Sequence, residues 1–262
     1  MKRASFPSRK AYRRRKSLLG RKKIIYCLLV VIILIILLYL TCFYSFFQVK
    51  GVKISGNNKV SSEEIESVVS NNISRKILFL ESDSVFLIDL YGIKKKVLNE
   101  FVLIKSVSFD RDFPDKLIVS VEERIPLAIF EGRNGIFFID EDGVIFEEVE
   151  EREEWLTIKG NNFQENLYLG LVVISTEEMK KITEAEKGLK KLEVNPASVE
   201  IVNNKRMNFK SSEGWNIYFN LKEDISSQIF NLEVLLKEKI SPEVRRNLEY
   251  VDLRFGNQLY YK

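Results

Sequence analysis

The stretch from Ile24 to Phe47, IIYCLLVVIILIILLYLTCFYSFF, holds 24 residues without one charged side chain. At a rise of ~1.5 Å per residue it makes a helix of roughly 36 Å, enough to cross a hydrocarbon core of ~30 Å with some tilt. Every charge ahead of it is positive: Lys2, Arg3, Arg9, Lys10, Arg13, Arg14, Arg15, Lys16, Arg21, Lys22 and Lys23. Positive flanks stay on the cytoplasmic side. The pattern predicts a basic cytoplasmic tail over 1–23, a transmembrane helix over 24–47 and an exterior portion from residue 48 onward. A cleaved signal peptide has an apolar region of ~7–15 residues ending at small residues. This run is longer and ends in Phe43-Tyr44-Ser45-Phe46-Phe47, an aromatic interfacial belt. Leu40-Thr41-Cys42 is a poor lipid-attachment site, because Thr directly precedes the Cys.

The tail sets topology and adds contact with anionic lipid, at ~1 kcal/mol per basic residue near the surface. With only Phe6 and Tyr12 among its cations, it lacks the interleaved aromatics of a nucleic-acid binder. The whole-chain charge of +4 hides an asymmetry. Without the tail, 30 basic residues face 37 acidic ones, a net −7 that argues against a nucleic-acid groove in the exterior portion. The chain has no His, and its two cysteines, Cys27 and Cys42, lie inside the apolar run. The exterior portion therefore has no disulfide, thiolate nucleophile, His general base or N/S zinc site. A carboxylate pair, a Ser–Lys dyad or an oxygen-ligand metal site survives this elimination. About 215 exterior residues bury a core without staples, as one large or two small domains.

Gln48 to Ser55 (QVKGVKIS) reads as a strand and Gly56-Asn57-Asn58 as a turn. Ser61-Ser62-Glu63-Glu64 opens a helix with a capping-box pattern, and Ile65, Val68, Val69 and Ile73 give it one apolar face. A second helix is predicted from about Ser84 to Asn99, with Phe86, Leu90, Ile93 and Val97 as its stripe. Gly92 inside it costs up to ~1 kcal/mol. Strands over Phe101 to Asp110 and Lys116 to Glu122 follow, joined by Arg111-Asp112-Phe113-Pro114-Asp115. The order strand, helix, helix, strand, strand over 48–123 is a small α+β unit with helices on one sheet face.

After it, short β-prone segments separated by turns cover Pro126 to Glu131, Gly135 to Asp140, Val144 to Phe146 and Trp155 to Lys159. Asp140-Glu141-Asp142-Gly143 reads as a hairpin turn. It resembles the start of a calcium loop but lacks the third ligand position and the closing Glu. The acidic run Glu147 to Glu154 reads as a solvated loop or strand edge. One helix starts with Thr176 as cap and buries Met179, Ile182, Leu189 and Leu192. Another starts at Asp224 with Ile225, Ile229, Leu232 and Leu236 on one side. Strands fall at Ser198 to Val202, Met207 to Ser211 and Trp215 to Phe219. Tyr250 to Tyr261 (YVDLRFGNQLYY) reads as one long closing strand. These elements make 124–262 a β-rich α+β domain. No internal repeat, low-complexity linker or Gly-rich phosphate loop is present, so no cofactor is expected.

On the closing strand Val251, Leu253, Phe255 and Leu259 alternate with Tyr250, Asp252, Arg254 and Gln258. One reading is an ordinary strand with its apolar face in the core. The other is an edge strand that accepts a partner strand, with a bulge at Gly256-Asn257 that turns Phe255 outward. Glu122-Glu123-Arg124 reads as a surface charge cluster. No carboxylate pair is marked as catalytic, although a cell-wall hydrolase built on one is the alternative to a binding protein.

Several of these segments together resemble the FtsQ/DivIB family of bacterial cell-division proteins. They are QVKGVKISGNNKVSSEEI (48–65), FPDKLIV (113–119), VEERIPLA (121–128), FIDEDGVIF (138–146) and YVDLR (250–254). The resemblance covers the chain from the anchor on. It implies a POTRA domain over 48–123 and a β-domain over 124–262. It also implies a non-enzymatic, single-pass membrane scaffold of the divisome at the septum, with its C-terminal domains outside the cytoplasm. The partners implied are the small coiled-coil division proteins FtsB and FtsL, the first adding a strand to the closing strand region. Tyr250, Asp252, Arg254, Phe255, Gly256, Asn257 and Leu259 are the partner-binding residues so implied. Arg254 matches the family's Arg after Asp-Leu. Phe255 stands where Tyr is common, so the hydroxyl is absent. Some members carry a disordered tail beyond this region, and none is expected here after Lys262. The strand Leu117 to Val121 is a second candidate edge.

Overall fold

The computed structural model describes residues 9–77, 79–149, 155–160, 167–240, 242–256 and 258–262. An N-terminal helix, α1 (Arg9–Phe43), contains a 22-residue stretch, Lys22–Phe43, long and apolar enough to cross a membrane. A single 3-10 turn, Ser45–Phe47, follows it. The chain divides into two compact units. One comprises residues up to 101 with 106–122, and the other comprises 102–105 with 123–262.

The first unit runs β1 (Gly51–Ser55), α2 (Ser62–Ser70), β2 (Arg75–Ile77), β3 (Leu80–Ser82), α3 (Leu90–Glu100), β4 (Ile104–Asp112) and β5 (Lys116–Glu123). Its sheet has the order β1-β5-β4, with β1 parallel to β5 from Gly51↔Lys116 to Ser55↔Ser120. A parallel pair needs a long crossover, which the intervening helices supply. Ile65 and Val69 of α2, Ile93 and Val97 of α3, and Ile104, Val107, Leu117 and Val119 of the sheet are all buried. The turn between β4 and β5 contains a cis Phe113-Pro114 peptide.

Three expectations change here. Ser61 caps α2 by accepting from the Glu63 backbone N–H at 3.2 Å, not through a box with Glu64. The second helix starts at Leu90, six residues late. Its cap is Asp89, whose Oδ1 accepts from the Gly92 N–H at 3.0 Å. A side chain at Gly92 would meet that carboxylate at 2.8 Å, which explains the glycine. Finally β5, which holds Leu117 to Val121, is the central strand of its sheet and not an edge. Parallel pairing with β1 occupies the side that was expected to be free.

Among the described residues the second unit carries a mixed sheet of nine strands. Its elements are β6 (Ala128–Gly132), β7 (Gly135–Ile139), β8 (Ile145–Glu148), β9 (Thr157–Lys159), α4 (Thr176–Lys191), β10 (Pro196–Asn203), β11 (Arg206–Ser211), β12 (Asn216–Asn220), α5 (Ile225–Glu238), α6 (Pro242–Arg245), β13 (Tyr250–Phe255) and β14 (Gln258–Tyr261). The strand order is β14-β13-β12-β11-β10-β9-β6-β7-β8. The parallel pairs β9/β10 and β12/β13 are bridged by α4 and α5, the usual role of a crossover helix. Both helices bury their stripes in one core: Met179, Ile182, Ala185 and Leu189 from α4, and Ile225, Leu232 and Leu235 from α5. Trp215, Phe130, Phe137, Phe209 and Phe219 supply its bulk, and Phe209 meets Phe219 edge-on at 5.7 Å. Ser175, one residue before the expected cap, forms a full capping box with Glu178. Of the acidic run, Glu147 and Glu148 lie on or beside β8, and 150–154 fall outside the described residues.

Arg124 is not part of a surface cluster. Its side chain is 15% exposed and pairs with Asp140, which is 2% exposed. Arg124 Nε also donates to the Val102 carbonyl at 3.0 Å. The other oxygen of Asp140 accepts from the backbone N–H groups of Asp142 and Val144, both at 3.0 Å. The expected tight turn is therefore built around a buried carboxylate. Paired and saturated in this way, the charge satisfies the condition for burial.

Candidate functional site

The closing segment is a hairpin and not one long strand. β13 turns through Gly256, at φ +62°, into β14, which pairs antiparallel from Phe255↔Gln258 to Val251↔Tyr261. Gly at the first position of the hairpin loop gives the chain the left-handed backbone that a tight turn needs. β14 is the outermost strand of the nine, so one side of its backbone carries no strand among the described residues. β13, by contrast, is held on both sides, by β12 and β14.

The residues of this segment divide accordingly. Val251 and Leu253 are fully buried in the core, and Leu259 packs half-buried against it. Tyr250 is half-buried and stacks on Tyr218 of β12 at 5.6 Å. Asp252 is buried under Arg254. The guanidinium grips the carboxylate in a fork, Nε to Oδ1 at 2.8 Å and Nη2 to Oδ2 at 2.6 Å, while the Arg254 N–H also donates to Oδ1. That hydrogen-bonded carboxylate raises the Arg254 pKa above its ordinary value. Arg254 lies 5.6 Å over the Tyr218 ring, and Arg206 covers the same ring at 4.5 Å. Asp252 and Arg254 thus order the outer sheet face beside the edge.

Phe255 is 55% exposed, turned out by an irregularity in the β13/β14 register between Asp252 and Phe255. The bulge that turns it outward therefore precedes Gly256. Asn257 lies outside the described residues. Phe255 meets Tyr260 of β14 edge-on at 5.3 Å, and both present their rings to solvent. Sequence reasoning did not select Tyr260, Tyr261 or the α5 residues nearby. Asn231 of α5 donates to the Gly256 carbonyl at 3.1 Å, tying the helix to the turn, and Phe230 and Val234 of the same helix are exposed. Their signal was available: Phe230 is a large aromatic off the apolar stripe Ile225, Ile229, Leu232, Leu236.

Away from this edge, an open cleft of about 640 Å³ is lined by Leu127, Glu141, Asp142, Thr176, Met179 and Lys180, among others. Its carboxylates Glu141 and Asp142 both reach Lys105, whose pKa they raise, Glu141 chiefly through a hydrogen bond. Among the described residues, no three His, Cys, Asp or Glu side chains are grouped to hold a metal ion.

The family model "POTRA domain, FtsQ-type" matches residues 47–124, and "Cell division protein FtsQ/DivIB, C-terminal" matches residues 128–254. The cell division protein DivIB of Clostridium tetani is 23% identical over 235 residues, 86% of this chain and 83% of that protein. The FtsQ proteins of Koribacter versatilis and Rickettsia conorii are 30% and 25% identical over shorter stretches. These cover 37% and 54% of this chain, but only 25% and 49% of the two relatives. An apolar N-terminal helix, a POTRA domain and a β-rich C-terminal domain define a division protein of this architecture. The chain belongs to the FtsQ/DivIB family of cell-division proteins, a non-enzymatic family.

Proposed function

We propose that this chain is a bitopic scaffold of the bacterial divisome that captures a strand of an FtsB-like protein along β14. In this reading the chain divides into a cytoplasmic tail (1–23), a membrane span (24–47), a POTRA domain (48–123) and a β-domain (124–262). Both folded domains work outside the cytoplasm at the septum and carry out no chemistry. FtsL-like proteins arrive with the FtsB-like partner. The observation that carries this reading is the open side of β14, next to the exposed rings of Phe255 and Tyr260. Strand addition there gives backbone hydrogen bonds for register and alternate side chains for specificity. The fork between Asp252 and Arg254, with Tyr250 stacked on Tyr218, holds β13 firm behind the edge. Gly256 shapes the turn, Asn257 is a partner contact in this reading, and Leu259 anchors β14 to the core.

The test is capture of an FtsB-like ectodomain by the full chain in detergent. Removing residues from 250 on would strip Val251 and Leu253 from the core, so the informative truncation removes only 257–262. That truncation should abolish capture. Phe255→Lys should weaken it by about 2 kcal/mol, roughly thirtyfold in Kd. Capture unchanged by both variants would exclude the β14 edge as the docking strand.

A further inference from the structure

Two buried hydroxyls in the first unit point at the end of α1. Ser84 Oγ donates to the Thr41 carbonyl at 2.7 Å. Ser82 Oγ donates to the Cys42 carbonyl, which also accepts from Gln48 Nε2 at 3.0 Å. The last turn of a helix leaves such carbonyls open. Here β3 and the segment after it close them, and the backbone repeats the join: Val85 N donates to Phe47 O at 2.9 Å and Val49 N to Asp83 O at 3.0 Å.

The join fixes a depth. From Ile24 to Phe43 the helix climbs ~30 Å, the thickness of the hydrocarbon core. The Thr41 and Cys42 carbonyls therefore sit at its outer boundary, and helix tilt only draws them deeper. Ser82 and Ser84, in direct contact with them, lie at the same level. Headgroups add roughly 6 Å of interfacial layer on each side. Leu80 and Phe79, two and three residues before Ser82, are within ~10 Å of it along the strand. Phe79 is 98% exposed and Leu80 is exposed too. On the other flank the rings run on from the helix end: Phe46 to Phe47 at 5.2 Å, Phe47 to Phe86 at 5.4 Å, Phe86 to Phe113 at 5.3 Å. Phe46, Phe86 and Phe113 are all exposed. Large apolar side chains at this depth, continuous with a membrane helix, are those that partition into an interface.

We infer that this face of the first unit, Phe46, Phe79, Leu80, Phe86 and Phe113, lies in the outer interfacial layer of the bilayer. The unit rests on lipid and does not stand off from it. The inference depends on reading α1 as a membrane anchor. The hairpin's charges, Arg75 and Lys76 against Glu81 and Asp83, balance, so apolar burial holds the contact and a phosphatidylcholine surface suffices.

The test uses the full chain with Cys27→Ser and Cys42→Ser in phosphatidylcholine nanodiscs. Nitroxide labels are placed singly at Phe79→Cys, Phe113→Cys, Leu34→Cys in the span, and Tyr91→Cys on an exposed position of α3. Collision with oxygen is compared with collision with a water-soluble nickel chelate. Positions 79, 113 and 34 should favour oxygen severalfold over position 91. A lipid-like signal at 34 with water-like signals at 79 and 113 would overturn the inference and leave the anchor standing. A water-like signal at 34 would overturn both.

Discussion

Gly143 has no room for a side chain. It sits at φ +75° in the turn that Asp140 organises, and a Cβ there would lie 1.9 Å from the Ile174 carbonyl oxygen. That carbonyl belongs to a segment laid against the turn, where Val173 N donates to Gly143 O at 2.9 Å. Gly143→Ala should therefore destabilise the second unit by about 3 kcal/mol or more, read as a lowered denaturant midpoint of the chain in detergent. At this scale the sequence was partly readable. Asp140-Glu141-Asp142-Gly143 declared a turn, because Asp and Gly are what such backbone requires. The salt bridge beneath it was not, because Arg124 lies 16 positions earlier and local pattern says nothing about long-range pairing.

Among elements, periodicity found both long helices of the second unit, and cap chemistry set their ends. Ser175→Ala should cost about 1 kcal/mol by removing one half of the capping box, measured as the same midpoint shift. Asp224 caps α5, and the Ser227 hydroxyl and backbone N–H hold its carboxyl below the ordinary range. A lowered folded-state pKa means the cap contributes fully above the unfolded value, near pH ~4, and fades as acid protonates the folded carboxyl. Asp224→Asn should flatten this part of the acid-side loss of stability in a series of melts from neutral pH downward. Pattern missed the short α6, the turn inside the closing segment and the whole β2–β3 hairpin. The β2–β3 sequence, from Arg75 to Ser82, carries neither Gly nor Pro, and its three-residue strands are too short to show a period. Phe86 misled for the opposite reason. It fits the spacing of Leu90, Ile93 and Val97, yet packs with Phe47 and Phe113 outside the helix.

For the whole molecule, charge is the organising variable. Every cation of the tail precedes an uncharged span, and the portion beyond carries a net negative charge. Replacing the basic residues between 9 and 23 with Gln should leave a fraction of chains inserted in reverse, scored by a reporter fused after Lys262 that is active only outside the cytoplasm. The overall architecture was legible because strand and helix follow in an order with few packings. The nine-strand order was not legible, since parallel crossovers place neighbours far apart in the chain.

One detail of the first sheet bears on how the chain carries load. A pull applied at Gly51 and at Glu123 acts on opposite ends of a parallel pair. The two strands are then dragged past each other along their length. The whole ladder from Gly51 to Ser55 resists at once, where an antiparallel hairpin pulled from one end would open one bond at a time. Force applied to the two outer ends of the β1–β5 pair thus meets backbone hydrogen bonds that have to yield together.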